Sequence, residues 1–176
     1  MTRGYARKAD PAGQSGHRGY DEPDMEPEPI SEQMDQLACD LIDYSLDLLG
    51  KNGSLTPTIA VEDVAGKRVL LSFDNEEVEE CLEDAHAMIR EAAQGDKPIK
   101  GLSAGDEGRP QRYALAYDGA IREDGAGAYK SALIVEYGEQ GMSSGYSAYL
   151  LYKHAGRPQK FVWTEPAAAG EVELLV

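Results

Sequence analysis

The sequence predicts an α+β fold: an antiparallel sheet of about five to seven strands with two amphipathic, acidic helices on one face. Residues 111–164 alternate apolar and polar side chains with a period of two between Gly-rich turns. Segments 32–49 and 75–94 instead place apolar residues at i, i+3, i+4 spacing, which gathers them on one side of a helix. The turns within 111–164 are too short for the crossovers that parallel strands need, so these strands form an antiparallel meander.

In chain order, residues 1–30 read as a disordered leader. Gly, Arg and small residues come first, and acid then alternates with proline from Asp21 to Pro29, which blocks helix and ladder alike. From 31 to 176 the chain reads as one α+β domain. Ser31 is a plausible N-cap for the first helix. Met34, Leu37, Ala38, Leu41, Ile42, Ser45, Leu48 and Leu49 share its apolar face, with Asp35, Asp40, Asp43 and Asp47 opposite. Gly50 is expected to supply the left-handed stop.

Thr58–Asp63 and Lys67–Phe73 then form a hairpin about Val64-Ala-Gly66. A two-stranded ribbon is marginal alone, so it is expected to join the edge of the later sheet. The second helix carries the strongest local signature. Asp74 and Glu77 have capping-box spacing, and Phe73 and Val78 that of a hydrophobic staple. Val78, Cys81, Leu82, Ala85, Met88, Ile89, Ala92 and Ala93 mark its buried face.

The loop from 96 to 110 is rich in Gly but lacks the Lys-Ser/Thr ending of a phosphate cradle, so it reads as a connection. Within the meander, Ala132-Leu-Ile-Val135 is apolar on both sides and predicts a central strand. Dimerisation through a free sheet face is compatible with that run. Residues 171–176 read as a short edge strand. Seven of the ten tyrosines fall between Tyr113 and Tyr152. No Lys/Arg stripe accompanies them, so cross-strand packing is preferred to a base- or sugar-stacking platform.

The formal net charge is −15 and the pI about 4.5. Such a balance argues against direct nucleic-acid or anionic-membrane binding, both of which need cationic patches. The excess is concentrated in residues 31–100, which carry 16 acidic and 6 basic side chains. Cys39 and Cys81 are read as buried free thiols rather than a bridge. With no apolar run of membrane-spanning length and no secretory h-region, the expected location is cytoplasmic.

Chemistry is sparse. His17, His86 and His154 lie in separate elements, and neither zinc-protease, paired-cysteine nor nucleophile-elbow motifs occur. No cofactor is expected. The most enzyme-like group is a strand-end rim of Asp118, Glu136 and Glu139, which could hold a metal or serve a hydrolase as acid and base. Glu136 follows an apolar run and is expected to be partly buried, paired with Arg112 or Arg122. A tyrosine-lined sheet face could alternatively hold a small ligand. The favoured expectation is an interaction protein without catalysis, of the immunity, inhibitor or adaptor type. It would bind a basic protein partner through Glu76, Glu77, Glu80, Glu83 and Asp84 on the second helix.

Overall fold

The computed structural model describes residues 29–123 and 127–176. The element order is α1 (Glu32–Asn52), β1 (Thr58–Asp63), β2 (Arg68–Ser72) and α2 (Val78–Gln94). A 3-10 turn (Gly105–Gly108) precedes β3 (Pro110–Ile121), β4 (Lys130–Glu139), β5 (Gly145–Lys153), β6 (Val162–Trp163) and β7 (Ala167–Val172). All seven strands form one antiparallel sheet in the order β2-β1-β3-β4-β5-β6, with β7 beside β6 along the outer edge of β5. The α+β class and antiparallel sheet are thus as the periodicity predicts. The hairpin joins through β1, which pairs with β3, and leaves β2 as the edge. The β3–β4 turn over 124–126 and the leader over 1–28 lie outside the described residues.

The helices are not on one face; they pack on opposite faces. Ala60, Ala114, Ala116, Val135, Leu133 and Leu150 join Met34, Leu37, Leu41 and Leu49 of α1 in one core cluster. Ile59, Val61, Tyr113 and Leu115 join Ala85, Ile89 and Ala92 of α2 in another. The register explains this: Ala60 lies opposite Ala114 and Val61 opposite Tyr113, so adjacent residues along β1 and β3 feed opposite cores. The second helix covers the other face over β1 and β3, while Tyr117, Ile134, Tyr149 and Leu151 on that face stay half-buried. Small alanines in the α1 floor leave room for a helix, whereas Tyr113 and Leu115 on the other side meet the small Ala85 and Ala92.

Local details also depart from expectation. Helix α1 continues through Gly50 and stops at Gly53, whose φ of 81° is left-handed and whose N–H donates to the Leu49 carbonyl. Gly50 is helical, and its missing Cβ admits the Phe161 ring, which lies 3.0 Å from where a Cβ would stand. In α2 neither capping box nor staple forms: Glu77 is the N-cap without a side-chain bond, and Val78 is exposed. Cys81 substitutes, donating its thiol to the Phe73 carbonyl at 3.3 Å and accepting from the Asn75 N–H. Cys81 is buried as expected, but Cys39 is exposed on the opposite side of the sheet. Ile30, assigned to the leader, packs against the α1 core.

The connection over 96–110 is pinned rather than free to swing. Ile99 and Leu102 are buried, and Ser103 N–H donates to Asp63 Oδ2 at 2.8 Å. Asp63 also accepts from the Lys67 N–H at 2.8 Å. Beyond β7 the chain leaves the ladder, and Leu174, Leu175 and Val176 close the α2-side core. Tyr113 donates its hydroxyl to the Glu173 carbonyl there at 3.2 Å.

A ladder of charges ties α1 to four strands. Glu139 accepts from the Ser31 N–H and hydroxyl, both at 2.7 Å, and from Arg112 Nε at 3.4 Å. Arg112 also pairs with Glu62, Glu62 with Arg68, and Arg68 with Asp40 back on α1 at 3.0 Å. Arg112 is therefore the cation between two buried carboxylates. Arg112→Ala is expected to cost about 3–5 kcal/mol, the usual loss when a buried pair keeps only its carboxylates. Urea unfolding will measure it, and adding Glu62→Gln and Glu139→Gln should recover part of the loss.

Stability should also fall at both ends of the pH scale. Burial pushes Glu139 up, but the Ser31 and Arg112 bonds outweigh it and hold the carboxyl below its ordinary 4.5. Burial likewise opposes, and the bonds from Ser103, Lys67 and Ala65 overcome it, at Asp63, held below its ordinary 3.8. Carboxyls depressed on folding stabilise above their unfolded values, and that stability is lost as pH falls through the folded values. Burial raises Tyr113 to about 12 and Tyr152 above its ordinary 10.0, the Asp118 contact adding to the latter. Raised groups stabilise below pH 10.0 and lose that contribution as pH climbs through the folded value. Thermal melts across pH will show both arms, and Asp63→Asn should flatten the acid one.

Candidate functional site

Strand register decides what the acidic residues can do. Asp118 lies opposite Leu133, Glu136 opposite Leu115 and Glu139 opposite Arg112. Six residue steps along β4 separate the Asp118 position, Leu133, from Glu139, a span of roughly 20 Å at the rise of a strand. Glu136 also points to the α2 side, while Asp118 and Glu139 point to the α1 side. The three carboxylates therefore form no common rim. Each has its own partner: Asp118 accepts from the Tyr152 hydroxyl at 2.6 Å, and Glu139 holds Ser31 and Arg112. Among the described residues no three His, Cys, Asp or Glu side chains gather where they could hold a metal ion.

Glu136 is partly buried, as its apolar approach predicts, but neither Arg112 nor Arg122 pairs with it. Its Oε2 lies 2.8 Å from His86 Nε2, and its Oε1 accepts from the Tyr117 hydroxyl at 3.1 Å. The side chain is 12% exposed and that of His86 30%. Arg112 is on the other face and already held by Glu62 and Glu139. Tyr117 reaches Glu136 because it stands two residues from Leu115, Glu136's direct partner, so the contact is a same-face diagonal. His86 comes from α2 one residue after the buried Ala85, which places it at the helix shoulder over β4. The result is a His–Glu–Tyr array at the margin of the α2-side core, open on one side. Burial raises Tyr117 above its ordinary 10.0, and the Glu136 charge and hydrogen bond raise it further.

Sequence reasoning missed His86 and Tyr117 because the sequence shows no spacing that links them to Glu136. The one available signal was that Tyr117 and Glu136 occupy half-apolar strands destined to pair. A carboxylate bridging an imidazole and a phenol can orient the ring and hold a proton between three groups. Ser147 lies opposite Glu136 on β5, its hydroxyl donating to the Gly170 carbonyl at 3.5 Å.

The expected partner surface is laid out differently. Glu76 and Glu77 precede α2, while Glu80, Glu83 and Asp84 lie on it. All five are exposed, together with Glu79. Asp84 accepts from the Asn75 amide at 2.7 Å. Glu76, Glu77, Glu79, Glu80 and Glu83 have no ion-pair partner among the described residues. Glu79 and Glu80 sit in the first turn, where the helix dipole favours anions.

Comparisons with protein-family models, curated proteins and solved structures find no match to this chain.

Glu136→Gln preserves shape and removes charge. Tyr117 should then ionise at lower pH than in the parent, because one of its two neighbouring causes is gone, whereas Tyr152 on the far face should not move. Ring-carbon NMR of labelled tyrosine follows each phenol separately.

Proposed function

We propose that this chain is a non-catalytic interaction protein of the cytoplasm that binds a basic protein partner through the start of α2. The observation that carries this reading is the run of exposed carboxylates from Glu76 to Glu83 without an internal cation. Seven cations, Arg68, Arg90, Arg109, Arg112, Lys51, Lys97 and Lys130, each pair with an acid away from this surface. Concentrated charge at one helix start steers a complementary partner and sets register more than it adds affinity. No helix among the described residues is long and apolar enough to cross a membrane.

A second reading is favoured by the open His–Glu–Tyr array. Tyr117, Ile134, Tyr149 and Leu151 are half-buried on the face that carries Glu136. Helix α2 lies chiefly over β1 and β3. Half-covered rings around a few convergent polar groups suit a small ligand. Amide shifts around Tyr117 and Tyr149 during titration with nucleotide, sugar and lipid panels would support it; unmoved spectra would remove it.

For the first reading, Glu76→Lys, Glu80→Lys and Glu83→Lys combined should abolish capture of a basic partner from source lysate. Capture by the parent should weaken as salt rises, since exposed charge is screened over about 10 Å at 0.1 M. Reversal near a helix N-terminus costs about 0.3–1 kcal/mol per site, so thermal melts must show the variant still folded. A folded variant that retains every partner would sink the reading.

A further inference from the structure

On the face opposite α2, a groove runs between α1 and the β5–β6 edge. It consists of two adjoining hollows of about 230 and 310 Å³ that share Asp43, Leu46 and Trp163. Ile42 and Leu46 form the helix wall, with Phe161 and Trp163 facing them. Trp163 is 53% exposed, as is Val162 beside it. Exposure of a large aromatic in a hollow is notable because nothing in the fold requires it.

The groove is rigidly built. Trp163 pairs with Tyr152 across the β5–β6 ladder. Its ring lies tilted against Phe161 at 5.4 Å between centroids, and Phe161 in turn tilted against Tyr152 at 5.8 Å. Thr164 is bound to Leu151 through both its N–H and its hydroxyl oxygen. Gly50 admits the Phe161 ring to the helix. A tryptophan so held loses little freedom on contact, which is the character of an interaction anchor.

The rim selects the occupant. Asp47 is neutralised by Lys51 at 2.7 Å, but Asp43 and Glu165 have no ion-pair partner among the described residues. Cys39, on the same wall and exposed overall, is raised above its ordinary 9.0 by partial desolvation first and then by the negative charges of Asp35, Asp43 and Asp40. A second copy would bring more acid to this rim, against a net charge of −15 per chain. Nucleic acid is opposed by the same field.

We propose that this groove binds a peptide segment of a partner protein, with an aliphatic or aromatic anchor seated between Leu46 and Trp163 and flanking Lys or Arg against Asp43 and Glu165. It is a second interaction surface, independent of α2 and on the other side of the sheet. The chemistry is apolar contact to the anchor and charge contact at the rim, the division that gives small grooves specificity.

Trp163 is the only tryptophan in the chain, so its emission reports on the groove directly. The full-length protein would be titrated with the synthetic peptide Lys-Arg-Ala-Leu-Phe-Ala-Lys-Arg. Controls are the same peptide with Ala for Leu-Phe, and one with Glu for every Lys and Arg. The proposal expects a saturable blue shift with the first peptide and none with either control. Asp43→Lys with Glu165→Lys, both exposed sites, should weaken the first peptide about tenfold or more by turning two attractions into repulsions. The Glu76→Lys, Glu80→Lys, Glu83→Lys variant should bind it as the parent does. Equal shifts with the anchorless peptide, or no shift at all, would overturn the proposal. So would emission that changes with protein concentration alone, which would mark a second copy as the occupant. Loss of the shift in the α2 variant would overturn it too, by moving the binding to that helix.

Discussion

Both faces of β1 and β3 must be dry at once, and the rest of the architecture follows from that constraint. A strand sends alternate side chains to opposite faces. Ala114 and Ala116 therefore enter one core and Tyr113 and Leu115 the other. Neither set can be left to water without exposing the strand pair at the middle of the sheet, so each face takes a helix. The two helices never compete for the same floor, and each needs only one apolar stripe. The C-terminal residues complete the arrangement, with Leu175 filling the α2-side core where the helix does not reach.

Charges are managed by location. On the α1 side they form a connected ladder from the Ser31 cap through Glu139, Arg112, Glu62 and Arg68 to Asp40. Such a chain adds little net stability over apolar packing, but it penalises any register in which one member loses its partner. That makes it a device for registering α1 against four strands. On the α2 side the carboxylates at the helix start are left in water without cations. The same acidic composition is thus knitted into the fold on one face and left exposed at the helix start on the other.

The two proposed interaction surfaces differ in physical kind. The start of α2 is charge on a helix with little apolar area, suited to steering and to a salt-sensitive contact. The Trp163 groove is apolar with a charged margin, suited to holding one anchor side chain. Their placement on opposite faces would let one molecule engage two segments, which is the geometry of an adaptor.

Periodicity and turn chemistry made the elements legible: β1 falls on Thr58–Asp63 as read, both helices lie where their apolar stripes place them, and Ser31 caps the first. Length of linkers determined antiparallel pairing. Composition located the acidic surface, since exposed carboxylates need no partner to be recognised. The faces were not legible, because a period of two says that side chains alternate but not which side receives which helix. Nor was the site: Asp118, Glu136 and Glu139 are close in sequence to strand ends, yet register and pleat send them to different faces and ends. His86, Tyr117 and Glu136 meet only because strand pairing and helix packing close distances of 19 and 50 residues along the chain. Local sequence carries the conformation of each segment; which groups touch is decided by how alternating faces are covered, and that is a property of the packed whole.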